Sequence, residues 1–302
     1  MTKAYDPAEV AKHAFAPGWE KEHGGDYGEY LDSLHDPDDP FHDIAVAGEK
    51  EERAKRVLAA AERILVFTGA GISTESGVPD FRGPDGLWTR VDPSEFSFGA
   101  FLESPAARNR YWTMLTDERL IDGSIQPNPA HHAIVDLWKA GRLAGCVTQN
   151  VDGLHQAAGL PDDQVAELHG TAATVTCMGC RAVTPFESLR VRLNAGDLDP
   201  HCEVCSGLLK PSMVMFGEML SPEPMKRAAR MAYAADAILA IGSTLSIYPA
   251  ASVVAKTARR GKPLVIVNQG PTDHDDLAAV LCGGQAGTVV PRLVRAVVEE
   301  RR

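Results

Sequence analysis

Four cysteines stand as two pairs, Cys177-x-x-Cys180 and Cys202-x-x-Cys205, with 21 residues between the pairs. Thiolates at that spacing close a tetrahedral shell around Zn²⁺ and leave no position for water, so a zinc held there is structural. Redox dithiols are the other chemistry such pairs support. Residues 69–83 offer something different. They read Gly-Ala-Gly-Ile-Ser-Thr-Glu-Ser-Gly-Val-Pro-Asp-Phe-Arg-Gly, directly after the apolar run 64–67. Glycines there expose backbone N–H groups that can cradle a pyrophosphate. Asp80, Phe81 and Arg82 then place a carboxylate, a ring and a guanidinium beside that cradle. A tight strand-to-helix turn is the plainer reading. The loop departs from the full dinucleotide fingerprint, because Thr74 stands where a third glycine belongs. An acidic residue about 20 positions on normally holds the ribose, and Arg90 and Val91 stand there instead.

Thr148-Gln149-Asn150-Val151-Asp152-Gly153-Leu154-His155 follows a second apolar run, 143–147. Two amides and a carboxylate at a strand end suit ribose hydroxyls and a carboxamide, and Asn150 or Asp152 equally suits a helix cap. Glu167-Leu168-His169-Gly170 precedes the cysteine pairs. A histidine at such a junction is placed to be a general base near neutral pH, and a buried structural histidine is the alternative. His131, His132, His155 and His201 lack that setting. Gly242-Ser243-Thr244-Leu245 and Asn268 close further strands, where each reads as a turn or as a nucleotide contact.

These groups need a scaffold that delivers several loops to one place. Apolar runs at 64–67, 143–147, 212–216, 237–241 and 264–267 alternate with helical stretches near 102–120, 130–140, 221–235, 249–259 and 287–300. Continuous apolar strands between helices predict a parallel sheet covered on both faces. A charged helix over 49–62 turns Val57, Leu58 and Ala61 inward. Aromatic-rich helices around 84–128 form a cap, and 171–210 form the cysteine module. The chain of 302 residues carries a net charge of −11, of which residues 1–50 hold −8. Residues 1–48 therefore read as an acidic extension before a core over 49–302. An acidic arm argues against nucleic-acid binding. No apolar run approaches the roughly 20 residues of a membrane span, and the N-terminal residues lack a secretory pattern, so a cytoplasmic protein is expected. The remaining cysteines, Cys146 and Cys282, read as buried apolar thiols. The oligomeric state is not legible.

Taken together, residues 50–300 resemble the sirtuins, the NAD-dependent protein deacylases. The motifs that carry the resemblance are Gly69-Ala70-Gly71-Ile72-Ser73, Gly77-Val78-Pro79-Asp80-Phe81-Arg82, Thr148-Gln149-Asn150-Val151-Asp152, His169-Gly170, the four cysteines, Phe216-Gly217-Glu218 and Gly242-Ser243-Thr244-Leu245. Gln126-Pro127-Asn128-Pro129-Ala130-His131 and Gly270-Pro271-Thr272 add a likeness to the class II branch. Ser243-Thr244 reverses the order common in the family, with a hydroxyl kept at both positions.

The resemblance implies an α/β fold: a Rossmann-like parallel sheet with helices on both faces, a four-cysteine zinc ribbon and a helical cap. It implies NAD as co-substrate, one structural Zn²⁺, and an acyl-lysine protein or peptide as partner. Gly69, Ala70, Gly71 and Ser73 would hold the pyrophosphate side, with Asp80, Phe81 and Arg82 in the cofactor loop. Gln149 and Asn150 would hold the nicotinamide ribose and Asp152 the carboxamide. Gly242, Ser243, Thr244, Asn268 and Cys282 would line the adenosine half. His169 would be the general base, with Asn150 and Asp152 beside it in the catalytic set. Gly217, Glu218, Leu245 and Ile247 would sandwich the peptide as a strand, and Val214 and Phe216 would line the acyl tunnel. Products would be free lysine, nicotinamide and O-acyl-ADP-ribose. The rival readings are mono-ADP-ribosyl transfer or NAD hydrolysis, and a non-enzymatic NAD-sensing module. Relatives that remove succinyl or malonyl groups carry Tyr-x-x-Arg in the cap helix. Here the stretch is Tyr111-Trp112-Thr113-Met114, which predicts neutral acyl groups.

Overall fold

The computed structural model describes residues 42–79, 93–117 and 125–299. Asp80, Phe81, Arg82, residues 1–41 of the acidic extension and parts of the expected cap lie outside the described residues. A parallel sheet is built where the apolar runs predict it. β1 (Ile64–Thr68), β2 (Leu143–Thr148), β7 (Ala237–Ile241) and β8 (Leu264–Val267) are buried along their whole length, as strands covered on both faces must be. Two short strands, β3 (Val165–Glu167) and β9 (Val280–Cys282), extend the edges beyond the sequence expectation. The order is β3-β2-β1-β7-β8-β9, so the chain runs outward from β1 on one side and later returns to pair β7 on its other side.

Helices cover the two faces. On one face α1 (His42–Ala59), α4 (Pro129–Lys139) and α9 (Ala286–Glu299) pack around Leu58, Ile134, Val66 and Leu293. On the other, α7 (Pro222–Ala234) and α8 (Ser252–Ala258) pack Ala228, Met231 and Val254 against Leu65, Phe67 and Ile238. The stripe Val289, Val290, Leu293, Val294 and Val297 is buried, which is the periodicity that makes α9 a helix. A single helical turn, α5 (Leu154–Ala157), ends the loop that leaves β2.

A smaller lobe holds α2 (Phe98–Glu103), α3 (Pro105–Asp117) and α6 (Phe186–Asn194) around an antiparallel sheet of order β5-β4-β6. Its strands are β4 (Gly170–Cys177), β5 (Val183–Pro185) and β6 (Leu209–Met213). This corrects one sequence expectation: the run 212–216 is not a strand of the main sheet. The strand ends at Met213 and pairs with β4, because Gly170 sits against Met213 and Cys177 against Leu209. Its lobe has a core of its own, with Trp112, Phe101, Phe186 and Val175 buried together. Arg108 ties its halves, giving Nε and Nη2 to Asp199 at 2.5 and 2.9 Å and Nη1 to the Phe101 carbonyl at 3.0 Å.

Candidate active site

Ligands of open α/β sheets bind beyond the carboxyl ends of the strands where the strand order reverses. Here that point lies between β1 and β7, and both loops leaving it are glycine-bearing. Gly69 N–H donates to the Ile241 carbonyl at 3.1 Å, and Gly71 N–H to the Gly242 carbonyl at 2.9 Å. Gly242 has φ +59°, and a Cβ there would stand 2.3 Å from Ile72 N. Only glycine allows the two loops to touch in this way, and the result is a shallow backbone cradle that suits a nucleotide. Ser243 is buried and receives Gln149 Nε2 at 2.8 Å, which joins the loop after β2 to the same cradle.

Ser73 is the hub beneath the cradle. It is fully buried, donates Oγ–H to Asp152 Oδ2 at 2.8 Å and accepts from Asn150 Nδ2 at 3.1 Å. Asn150 Nδ2 gives its second proton to the Gly69 carbonyl at 3.2 Å. Both amide protons of Asn150 are committed, so Oδ1 is the atom left to accept from a ligand hydroxyl. Asp152 Oδ1 accepts from Leu154 N–H at 3.0 Å, so each of its oxygens is oriented and retains a lone pair. The sequence predicts these residues together, and the fold does bring them together.

His169 comes from a different direction, the turn between β3 and β4. Gly170 after it has φ +73°, and a Cβ there would lie 2.0 Å from the Ser212 carbonyl oxygen, so the turn demands glycine. The ring is 2.9 Å from the Gln149 carbonyl through Nδ1. A carbonyl only accepts, so Nδ1 carries the proton and Nε2 keeps its lone pair for a substrate. Burial pushes the pKa below the ordinary histidine value, with the Gln149 carbonyl opposing. The imidazole is thus a neutral base at pH 7. The His169 carbonyl accepts Val214 N–H at 2.8 Å, which sets the base beside segment 214–218.

That segment is anchored by buried charge. Glu218 Oε2 accepts from Lys210 Nζ at 2.9 Å and from Met215 N–H at 3.0 Å. The Glu218 side chain thus turns inward, while Gly217 beside it is exposed. Phe216 is exposed, and its carbonyl receives Phe98 N–H at 2.8 Å. Across from it, Leu245 has φ +55° and a fully buried side chain, while Ile247 is half-buried and its carbonyl accepts Ala251 N–H. Behind lie Tyr111, Phe96, Met213 and Met215, with Met114, Phe98 and Val151 packed against them. Burial, then the negative charge of Glu218, pushes the Tyr111 phenol up. On the remaining rim, Thr244 is exposed with its hydroxyl 2.8 Å from Ser246 Oγ. Asn268 N–H meets the Cys282 carbonyl at 3.1 Å, and both Cys146 and Cys282 are buried free thiols.

The four cysteine sulfurs lie within 4.8 Å of one another. Cys177 and Cys205 are 3.4 Å apart and Cys180 and Cys202 3.8 Å, close to the edge length of a zinc–thiolate tetrahedron, so the site fits Zn²⁺. Each knuckle repeats the same backbone. Arg181 and Ser206, each directly after the second cysteine of its pair, have φ of 65° and 60°. Their N–H groups return to Cys177 O and Cys202 O.

Asn128 and His131, which the sequence offered only as a family likeness and a histidine without a catalytic setting, form the layer below. Asn128 Nδ2 donates to Ile72 O at 2.7 Å and to Ser76 Oγ at 3.0 Å. His131 closes a capping box with Asn128 at the start of α4 and lies 3.5 Å from Ser73 Oγ. The signal was readable in Asn128-Pro129-Ala130-His131, since Asn followed by Pro marks a helix start. Glu75 Oε2 accepts Gly287 N–H at 2.6 Å and ties the cradle loop to α9.

Residues 69–249 match the model of the Sir2 family. The chain is 40% identical to NAD-dependent protein deacetylase 2 of Streptomyces coelicolor over 78% of its length and 97% of that protein. It is 39% identical to NAD-dependent protein deacylase 2 of Archaeoglobus fulgidus, over 81% of this chain and 95% of that protein. A solved Sir2 enzyme structure superposes with a TM-score of 0.76 at 37% identity, covering 84% of this chain and 99% of the other. The structure of Sir2Af2 bound to a myristoylated histone peptide gives 0.68 at 32% identity, covering 84% and 98%.

Proposed function

The chain belongs to the Sir2 family and is an NAD-dependent protein deacylase, and from that premise we propose the role of each group at the site. The observation that carries the reading is His169. Its Nδ1 proton is committed to the Gln149 carbonyl, so Nε2 is an unprotonated base aimed from the junction of the two lobes. NAD supplies an electrophilic C1′ and a nicotinamide leaving group, and the acyl oxygen of the substrate displaces the latter. His169 takes the proton of a ribose hydroxyl. Asn150 Oδ1 accepts from the nicotinamide ribose, and Asp152 from the carboxamide. Gly69, Ala70 and Gly71 receive pyrophosphate, and Gly242, Ser243, Thr244, Asn268 and Cys282 border the adenosine half. Asp80, Phe81 and Arg82 complete the cofactor loop by resemblance. The donor set and the backbone cradle at Gly71 and Gly242 fit such a ligand.

The partner is an acyl-lysine peptide or protein. Solved relatives are described with a p53 peptide and with a myristoylated histone peptide. In this chain the backbones of Gly217–Glu218 and Leu245–Ile247 hold the peptide as an added strand, with Val214 and Phe216 along the acyl chain. We place the enzyme in the cytoplasm, where NAD is supplied and cysteines outside disulfides stay reduced. Direct nucleic-acid contact is not expected of it.

Neutral acyl groups are the preferred substrates. Among the described residues, the cations near Tyr111 and Met114 have partners: Arg108 with Asp199, Arg110 with Glu95 at 3.1 Å, and Lys210 with Glu218. An acyl carboxylate would meet Met114 and the Tyr111 ring and remain an unpaired buried charge. The test is one peptide carrying acetyl, butyryl, myristoyl or succinyl lysine, with the NAD products followed by mass spectrometry. O-acyl-ADP-ribose from the neutral acyls, with little from succinyl, is expected. Succinyl turnover matching acetyl overturns the preference, and ADP-ribosylated peptide as the main product overturns deacylation as the main reaction.

A further inference from the structure

A line of buried polar atoms runs beneath Asn150 and belongs to no contact assigned so far. Asn150 N–H donates to Thr148 Oγ1 at 3.0 Å. Thr68 Oγ1 donates to the same oxygen at 2.8 Å. Thr68 Oγ1 in turn stands 2.9 Å from His155 Nε2. Thr68, Thr148 and His155 are at most 2% exposed and Asn150 is 7%. The directions follow from the chemistry. With the Thr68 proton given to Thr148, Thr68 accepts from the ring, so Nε2 carries the imidazole proton. Nδ1 is then a bare lone pair, buried without a partner among the described residues.

That lone pair is an unfavourable thing to bury. A phenylalanine would fill the space without it. What histidine adds is the Nε2 proton that ends the chain of hydrogen bonds. Burial keeps the ring neutral, with its pKa pushed down to about 4, and the contact with Thr68 selects the tautomer protonated at Nε2. The neighbouring ring of His131, 5.1 Å away, is held by Asn128 and lies beside Ser73. Ser73 is the second support of the Asn150 side chain. Asn150 is thus fixed twice: its amide group from Ser73 and Gly69, and its backbone from Thr148, Thr68 and His155.

We propose that His155 is a positioning residue for nicotinamide release, setting the place of Asn150 Oδ1 through Thr68 and Thr148. This rests on the reading of Asn150 as the ribose contact. The loop after β2 starts at Gln149, so the tip of a sheet strand sets its first residues. A shift of about 1 Å in a group that orients a reacting centre costs about 10²-fold in rate.

The experiment measures nicotinamide release by the zinc-loaded full chain with an acetyl-lysine peptide, in His155→Phe, His155→Gln, Thr148→Val and Asn150→Ala. His155→Phe is expected to lower kcat by about 10²-fold with the peptide KM unchanged. His155→Gln, which restores an N–H donor at similar reach, recovers most of the rate. Thr148→Val, close in shape, matches His155→Phe. Should His155→Phe fail to fold, Thr148→Val decides. A folded Thr148→Val or His155→Phe enzyme with wild-type release overturns the proposal, and so does a Gln variant no better than Phe. Asn150→Ala separates the two readings. If it retains wild-type release, the ribose reading falls and the proposal with it. If it loses release while His155→Phe and Thr148→Val keep it, only the proposal falls.

Discussion

His169, the proposed general base, has one nitrogen free because the other is committed. The Gln149 carbonyl fixes the tautomer, and burial lowers the pKa from the ordinary value near 6.5. The base is the neutral form, so the acid limb of kcat lies below pH ~6.5, where an ordinary histidine would already be half-protonated. His169→Ala is expected to lower deacylation by about 10²–10⁴-fold. Exchange of labelled nicotinamide into NAD needs only the earlier displacement step and survives in the same variant. Loss of exchange together with deacylation, in protein that still melts cooperatively, would reassign the residue to structure or cofactor binding. Glu218 carries the opposite lesson. The resemblance implies that Gly217 and Glu218 flank the peptide as a strand, and the Glu218 carboxylate itself is folded back onto Lys210 and the Met215 N–H.

At the level of elements, the small lobe links metal to chemistry through one strand. β6 leaves the second cysteine knuckle at Leu209, pairs with β4, and ends at Met213, directly before Val214 bonds the His169 carbonyl. Zinc content of purified protein should be one per chain. Cys177→Ser removes one thiolate of four and should lower both the melting temperature and kcat, since metal binding at such sites is coupled to folding of the module. Full activity and an unchanged melting curve in metal-free protein would show the lobe to be self-supporting. The module at 171–210 was recognisable from its cysteines, but its packing with the helices of the cap into one lobe was not. Its helix α6 and the capture of β6 away from the main sheet were not, because 212–216 is as apolar as a central strand. Register with β4 decided its sheet, and register is a property of the pair.

For the whole molecule, buried histidines set the response to acid. His155 is buried neutral with its pKa near 4, and burial likewise pushes His131 down, against about 6.5 in an unfolded chain. The unfolded state binds the extra proton between those values, so stability falls as pH drops from about 6.5 toward 4. The His155 shift alone is worth on the order of 3 kcal/mol across that window. Urea midpoints measured at about pH 7 and near pH ~4.5 should show the loss, and His155→Gln should show less of it; equal losses in both proteins would assign the effect to other groups. The acidic extension makes a separate test. α1 begins at His42, and Ala54 and Leu58 bury its later turns in the core, so a truncation should stop before the helix. Removing residues 1–41 is expected to leave kcat within a few-fold, because every proposed site residue lies at position 69 or later. Inactivation of a folded truncated enzyme would place the extension in the site.

The sequence by itself determined the chemistry. Glycines at 69, 71 and 242, Asn150 and Asp152 after a strand, His169 before Gly170 and two cysteine knuckles are local signals, written in residue type and spacing. The strand and helix alternation, legible from apolar runs, carried the parallel sheet with helices on both faces. The sequence could not say which polar groups would be committed to one another. Asn128 and His131 are 3 positions apart, whereas His155 and its partner Thr68 are 87 apart and Ser73 and Asp152 are 79 apart. The long-range pairs exist only once β1, β2 and α4 are packed, because a hydrogen bond is decided by distance in space. The tertiary structure made that choice, turning Asn150 into an acceptor, Glu218 inward and His155 into the end of a buried line.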